Sequence, residues 1–95
     1  MLNHLPKLFQ ISSTDKHPVY TLRNGKIYRT VFHPKGWSEE PDYEFGDDGK
    51  FYRTEYHELG ANSLPDYEFH SDQKVYRTEN HPNGIKSSPE FELRD

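Results

Sequence analysis

Three stretches of this chain are near copies of one another: GKIYRTVFHPKG from Gly25, GKFYRTEYHELG from Gly49 and QKVYRTENHPNG from Gln73. The period is 24 residues, which makes Lys26, Lys50 and Lys74 equivalent, and likewise Tyr28, Tyr52 and Tyr76. Arg29, Arg53 and Arg77 follow, then His33, His57 and His81, then Gly36, Gly60 and Gly84. A fixed period of this length signals one supersecondary unit repeated against itself, which few architectures satisfy. Pro41, Pro65 and Pro89 each open a short aromatic segment, PDYEF, PDYEF and PEFEL, and an earlier copy, PVYTL, starts at Pro18.

Each unit reads as a β-hairpin. Tyr20 and Leu22, Tyr43 and Phe45, Tyr67 and Phe69, and Phe91 and Leu93 are i, i+2 pairs, so in a strand both members fall on one face. Thr21, Glu44, Glu68 and Glu92 lie between them and turn the other way. RNGK, GDDGK and HSDQK supply turn chemistry, and Asn24-Gly25 is a strong two-residue hairpin signal because both positions tolerate positive φ. The second strand, Lys-x-Tyr-Arg-Thr, is rich in β-formers.

The chain ends extend the pattern. KLFQI, residues 7–11, fits the second strand without its first, and PEFELRD, residues 89–95, is a first strand without its second. Pairing them completes a fourth hairpin and removes the free sheet edges. The expected fold is all-β: one domain over residues 1–95, with a half-unit at 7–11, units at 18–40, 41–64 and 65–88, and a half-unit at 89–95. These form a closed or nearly closed pseudo-four-fold barrel or ring of hairpins. The rival geometry is an open hairpin stack that assembles edge to edge into an oligomer.

A single core in 95 residues is thin, and the apolar fraction of 31% is low. Seven Tyr, six Phe and one Trp argue against disorder and for an aromatic core. The net charge of −4, with both signs interspersed, leaves no basic footprint of the kind nucleic-acid binders carry. With no cysteine, disulfides and thiolate metal sites are excluded. MLNHLPKLFQ lacks the charged start and long apolar run of a signal peptide, and nothing approaches a membrane span, so a cytoplasmic location is expected.

Several columns are candidate sites. Three imidazoles brought together make an open zinc site, so His33, His57 and His81 are candidate metal ligands if they converge. His17 is the only histidine near the fourth position, and the alternative is that each His orients its own loop. Arg29, Arg53 and Arg77 share a strand face with Ile27, Phe51 and Val75. They are expected to pair across strands with Glu44, Glu68 and Glu92, or else to cluster around an anion. Tyr28, Tyr52 and Tyr76 either fill the core or line a sugar-binding cleft. Trp37 has Ala61 and Ile85 as counterparts, so symmetry does not demand it; it is either a recognition residue or a plug at one end of the ring. No Ser-His-Asp arrangement or phosphate-binding glycine loop is present, and no cofactor is implied.

YEFGDDGKF and the HPNG of the next copy resemble the tyrosine-aspartate repeats of RHS and teneurin-type proteins. Tyr43, Gly49 and Lys50 match the tyrosine-to-glycine-arginine spacing of that family, and His81-Pro82-Asn83-Gly84 resembles its second turn. Gly46 and His70 stand where the family has aspartate, and the period here is longer. The resemblance implies β-hairpin repeats and transfers no functional residue. The functional expectation is a small non-enzymatic binding or interaction protein whose partner is a protein or small ligand. A metalloprotein or enzyme using the histidine column, and a homo-oligomeric scaffold, are the alternatives.

Overall fold

A computed structural model describes residues 6–11 and 17–94. Eight strands follow one another: β1 Lys7–Gln10, β2 Tyr20–Arg23, β3 Lys26–Arg29, β4 Tyr43–Phe45, β5 Lys50–Arg53, β6 Tyr67–Phe69, β7 Lys74–Arg77 and β8 Phe91–Arg94. Each pairs antiparallel with the next, and β8 pairs with β1, so the sheet is a closed barrel. Closure follows the two half-units: Lys7 lies opposite Arg94 and Gln10 opposite Phe91, as Lys26 lies opposite Arg23 and Arg29 opposite Tyr20. The open hairpin stack is therefore not the arrangement. No helix is long and apolar enough to cross a membrane among the described residues.

The first hairpin turn has both central residues at positive φ, 54° at Asn24 and 76° at Gly25, as its sequence predicts. The two longer turns place Gly49 and Gln73 in the same left-handed region.

Alternation decides what enters the barrel. Leu8, Ile27, Phe51 and Val75 of the second strands are buried inside, with Leu22, Phe45, Phe69 and Leu93 packed against them toward the turn end. The void bordered by Leu8, Leu22, Ile27, Phe45, Phe51, Phe69 and Leu93 is about 10 Å³, no more than one water's worth, so these side chains fill this part of the barrel. Toward the other end, Tyr20, Tyr43, Tyr67 and Phe91 form a closed ring of edge-on contacts. Successive centroids are 6.1, 5.7, 5.4 and 5.6 Å apart. Edge-to-face geometry sets the positive rim of each ring against the negative face of the next, which adds to the area buried.

The same alternation corrects two expectations. Tyr28, Tyr52 and Tyr76 are not core residues: they follow the inward Ile27, Phe51 and Val75 and so stand on the outer wall. Trp37 does not plug the ring. It is 62% exposed, and the aromatic tetrad does the plugging.

Candidate functional site at the loop end

The three long connections, residues 30–42, 54–66 and 78–90, all emerge at one end of the barrel, because antiparallel neighbours reverse there. Each is built by the same side chains. The arginines point inward beside the aromatic tetrad and pair with the acid that follows each proline. Arg29 Nε donates to Asp42 at 2.8 Å, Arg53 Nε to Asp66 at 2.8 Å and Arg77 Nε to Glu90 at 3.0 Å. The expected partners Glu44, Glu68 and Glu92 are on the opposite face, lying in register beside Lys26, Lys50 and Lys74. A glutamate between two inward side chains cannot meet an inward arginine, so parity along the strand already excludes these pairs.

The threonines fasten the start of each connection. Thr30, Thr54 and Thr78 donate their hydroxyls to the carbonyls of Pro18, Pro41 and Pro65, and each Oγ1 accepts a backbone N–H two residues on. The histidines fasten the next turn. The N–H groups of Lys35, Leu59 and Asn83 donate to Nδ1 of His33, His57 and His81, each at 3.0 Å. That leaves the neutral ring's proton on Nε2, which donates to the hydroxyl of Tyr20, Tyr43 or Tyr67 at 3.2, 3.2 or 3.1 Å. The Tyr43 hydroxyl in turn reaches Asp66 Oδ2 at 3.4 Å. Burial pushes all three of these phenols up, well away from ionisation near neutrality.

Both nitrogens of each repeat imidazole are thus engaged within its own unit, and the one lone pair of the neutral ring, on Nδ1, is taken by a backbone N–H. Among the described residues no group of three or more His, Cys, Asp or Glu is placed to hold a metal ion. His33 and His57 do share a cleft of about 140 Å³ with Tyr20, Arg29, Asp42 and the Lys35–Glu58 ion pair, but His81 is not part of it. The arginines do not gather around an anion, since each is tied to its own carboxylate. The fourth quadrant departs from the rest: Gln10 and Phe91 stand where the others have Arg and Tyr. His17 stacks on Phe32 with centroids 4.1 Å apart.

Desolvation holds all three repeat histidines below their ordinary value of about 6.5, opposed by the nearby Asp42, Asp66, Glu58 and Glu90 and reinforced by Arg29, Lys35, Arg53 and Arg77. A depressed folded pKa means that the unfolded chain takes up protons first as pH falls. The stability these groups contribute is therefore complete above about pH 6.5 and is lost as pH drops through the lower folded values. Protonation also turns Nδ1 from acceptor to donor and ejects a loop N–H, three times over. Urea midpoints between pH 7.5 and 5 should fall steeply, and His57→Gln should flatten the slope by one proton; an unchanged slope would count against the assignment.

The apolar side chains complete the picture. Of the eight exposed large hydrophobic residues among those described, seven lie in these connections: Val31, Phe32 and Trp37 in the first, Tyr56, Leu59 and Leu64 in the second, and Ile85 in the third. Leu64, Pro65 and Ile85 border a cleft of about 410 Å³ with Arg77, Glu79 and Asn80 beside them. Comparison with known protein families, characterised proteins and solved structures gives no match.

Proposed function

We propose that this protein is a non-enzymatic interaction module that engages a protein partner through the loop end of its barrel. The observation that carries the reading is the segregation of exposed apolar side chains onto one end, with Trp37 62% and Ile85 73% accessible. Exposed apolar side chains gathered in one set of loops mark interaction sites, and large apolar anchors are what protein interfaces use. The void among the apolar side chains at the turn end of the barrel is too small for an organic ligand. The cleft beside Leu64 and Ile85 suits an apolar side chain of the partner, with Arg77, Glu79 and Asn80 able to hydrogen-bond its backbone.

The test is a Trp37→Ser, Leu59→Ser, Ile85→Ser variant. All three positions are exposed, so its unfolding midpoint should stay near that of the wild type. A partner isolated by crosslinking in cells, then purified, should bind the variant at least about a hundredfold more weakly, as loss of central aromatic and aliphatic anchors predicts. Undiminished binding would remove the loop end from consideration. If sedimentation instead shows self-association that the variant abolishes, the partner is a second copy and the protein is a homo-oligomeric scaffold.

A further inference from the structure

The outer wall carries a recurring trio that one hairpin leaves incomplete. The residue just after each inward i, i+2 pair is Arg23, Gly46, His70 or Arg94. Three of these four lie over the outer aromatic ring of the paired strand. The Arg23 guanidinium is 4.2 Å from the Tyr28 centroid, the Arg94 guanidinium 4.4 Å from that of Phe9, and the His70 ring stacks 4.2 Å from Tyr76 at 25°. In two cases the glutamate two residues earlier holds the stacked group. Glu68 Oε2 meets His70 Nε2 at 2.7 Å, and Glu92 Oε1 accepts from Arg94 Nη2 at 2.9 Å.

The second hairpin has the aromatic, Tyr52, and the glutamate, Glu44, opposite each other in register. It has Gly46 where the third member belongs. Among the described residues no side chain stacks on Tyr52, and the exposed Glu44 makes no hydrogen bond or ion pair, even with its other register neighbour Lys26. The backbone is not the reason. Gly46 N–H donates to Lys50 O and His70 N–H to Lys74 O, both at 2.9 Å, so the two turns superpose in kind. φ at Gly46 is not in the left-handed region, and the atoms nearest a Cβ there are all of side chains, Asp48 Oδ1 at 2.8 Å, Tyr52 Cε1 at 3.2 Å and Asp48 Cγ at 3.6 Å, so the Asp48 carboxylate must shift to admit one. Asp48 accepts the Tyr52 hydroxyl, as Asp72 accepts that of Tyr76, and brings a second negative charge to the ring.

We propose that Tyr52, Glu44 and the gap at Gly46 form a receptor for a guanidinium supplied in trans. An arginine of a partner polypeptide stacks on Tyr52 and pairs with Glu44, completing between molecules the trio that the chain completes for itself elsewhere. Arginine fits better than lysine because its planar, weakly hydrated head stacks on a ring while its edge pairs with a carboxylate. Two of the three internal occupants are arginines. The patch lies on the barrel wall toward the turns, away from the loop end, and does not depend on the function proposed above.

A single exposed stack is weak, so an isolated arginine probe should bind in the millimolar range and a whole partner more tightly. The experiment titrates the intact protein with N-acetyl-arginine methylamide, and in parallel with its lysine counterpart, following amide and aromatic resonances. Saturable shifts are expected at Glu44, Gly46 and the Tyr52 ring, several-fold weaker for lysine, with Tyr28 and Tyr76 unmoved. Gly46→Arg, which fills the gap from within, and Tyr52→Leu should each abolish the response. Glu44→Gln, an exposed change that leaves the fold alone, should weaken it several-fold. No saturable shift at Tyr52, equal shifts at all three outer tyrosines, or a response undiminished in both Gly46→Arg and Glu44→Gln would overturn the proposal.

Discussion

Removing residues 91–95 is expected to abolish cooperative folding. These residues include β8, which pairs with β1 over four positions and with β7 over two. Without it the barrel has two open edges, and the aromatic tetrad loses Phe91, which is 6% exposed and contacts both Tyr20 and Tyr67. Deleting a buried phenylalanine side chain alone costs about 3–5 kcal/mol. A domain of this size holds roughly 5–15 kcal/mol in total, so losing the ring, the half-buried Leu93 and two ladders of hydrogen bonds together should exceed it. The truncated chain should show no near-UV circular dichroism and no thermal transition, while Phe91→Ala should retain a transition at a much lower temperature. A truncated chain melting within a few degrees of the full one would mean that closure contributes little.

Arg53→Met should be strongly destabilising. Asp66 is 1% exposed, and its Oδ2 depends on the Arg53 Nε–H at 2.8 Å, with only a long contact from the Tyr43 hydroxyl besides. Its Oδ1 is buried without a hydrogen-bond partner among the described residues. Taking away the arginine strands a buried carboxylate, which costs about 3–5 kcal/mol, whereas replacing both partners by apolar groups of similar volume is often neutral. Urea unfolding should therefore show a large loss in Arg53→Met and substantial recovery in Arg53→Met, Asp66→Leu. Arg94→Met, which breaks an exposed pair with Glu92, should cost no more than about 1 kcal/mol. If Arg53→Met and Arg94→Met prove equally mild, the buried pair is not holding the loop end together.

Closure was legible because KLFQI and PEFEL are complementary halves of a unit already written out in full elsewhere. Burial of Tyr20, Tyr43 and Tyr67 was legible from the i, i+2 spacing. Strand parity turns Glu44, Glu68 and Glu92 away from the arginines but does not name their partners: Asp42, Asp66 and Glu90 have the same parity as those glutamates and reach the arginines only because they lie just before the strands, where the return loop enters. The pattern Arg-Thr, eleven residues, then an acid and an aromatic was present as a signal and becomes meaningful only once the return loop is known to lead back over the same strand.

The repeat by itself determined the hairpin unit and made pairing of the two half-units the expected closure, because each half supplies the strand the other lacks; the fold decided between that and an open stack, by pairing β1 with β8. Tertiary structure alone decided what the repeated residues do. Whether three histidines converge depends on the radius and tilt of the barrel, which periodicity does not encode, and here the geometry turns each imidazole onto its own tyrosine. The open face of Tyr52 has the same origin. A single glycine at position 46 is unremarkable in the sequence, and it becomes a gap only when the folded wall shows three equivalent rings covered and one bare.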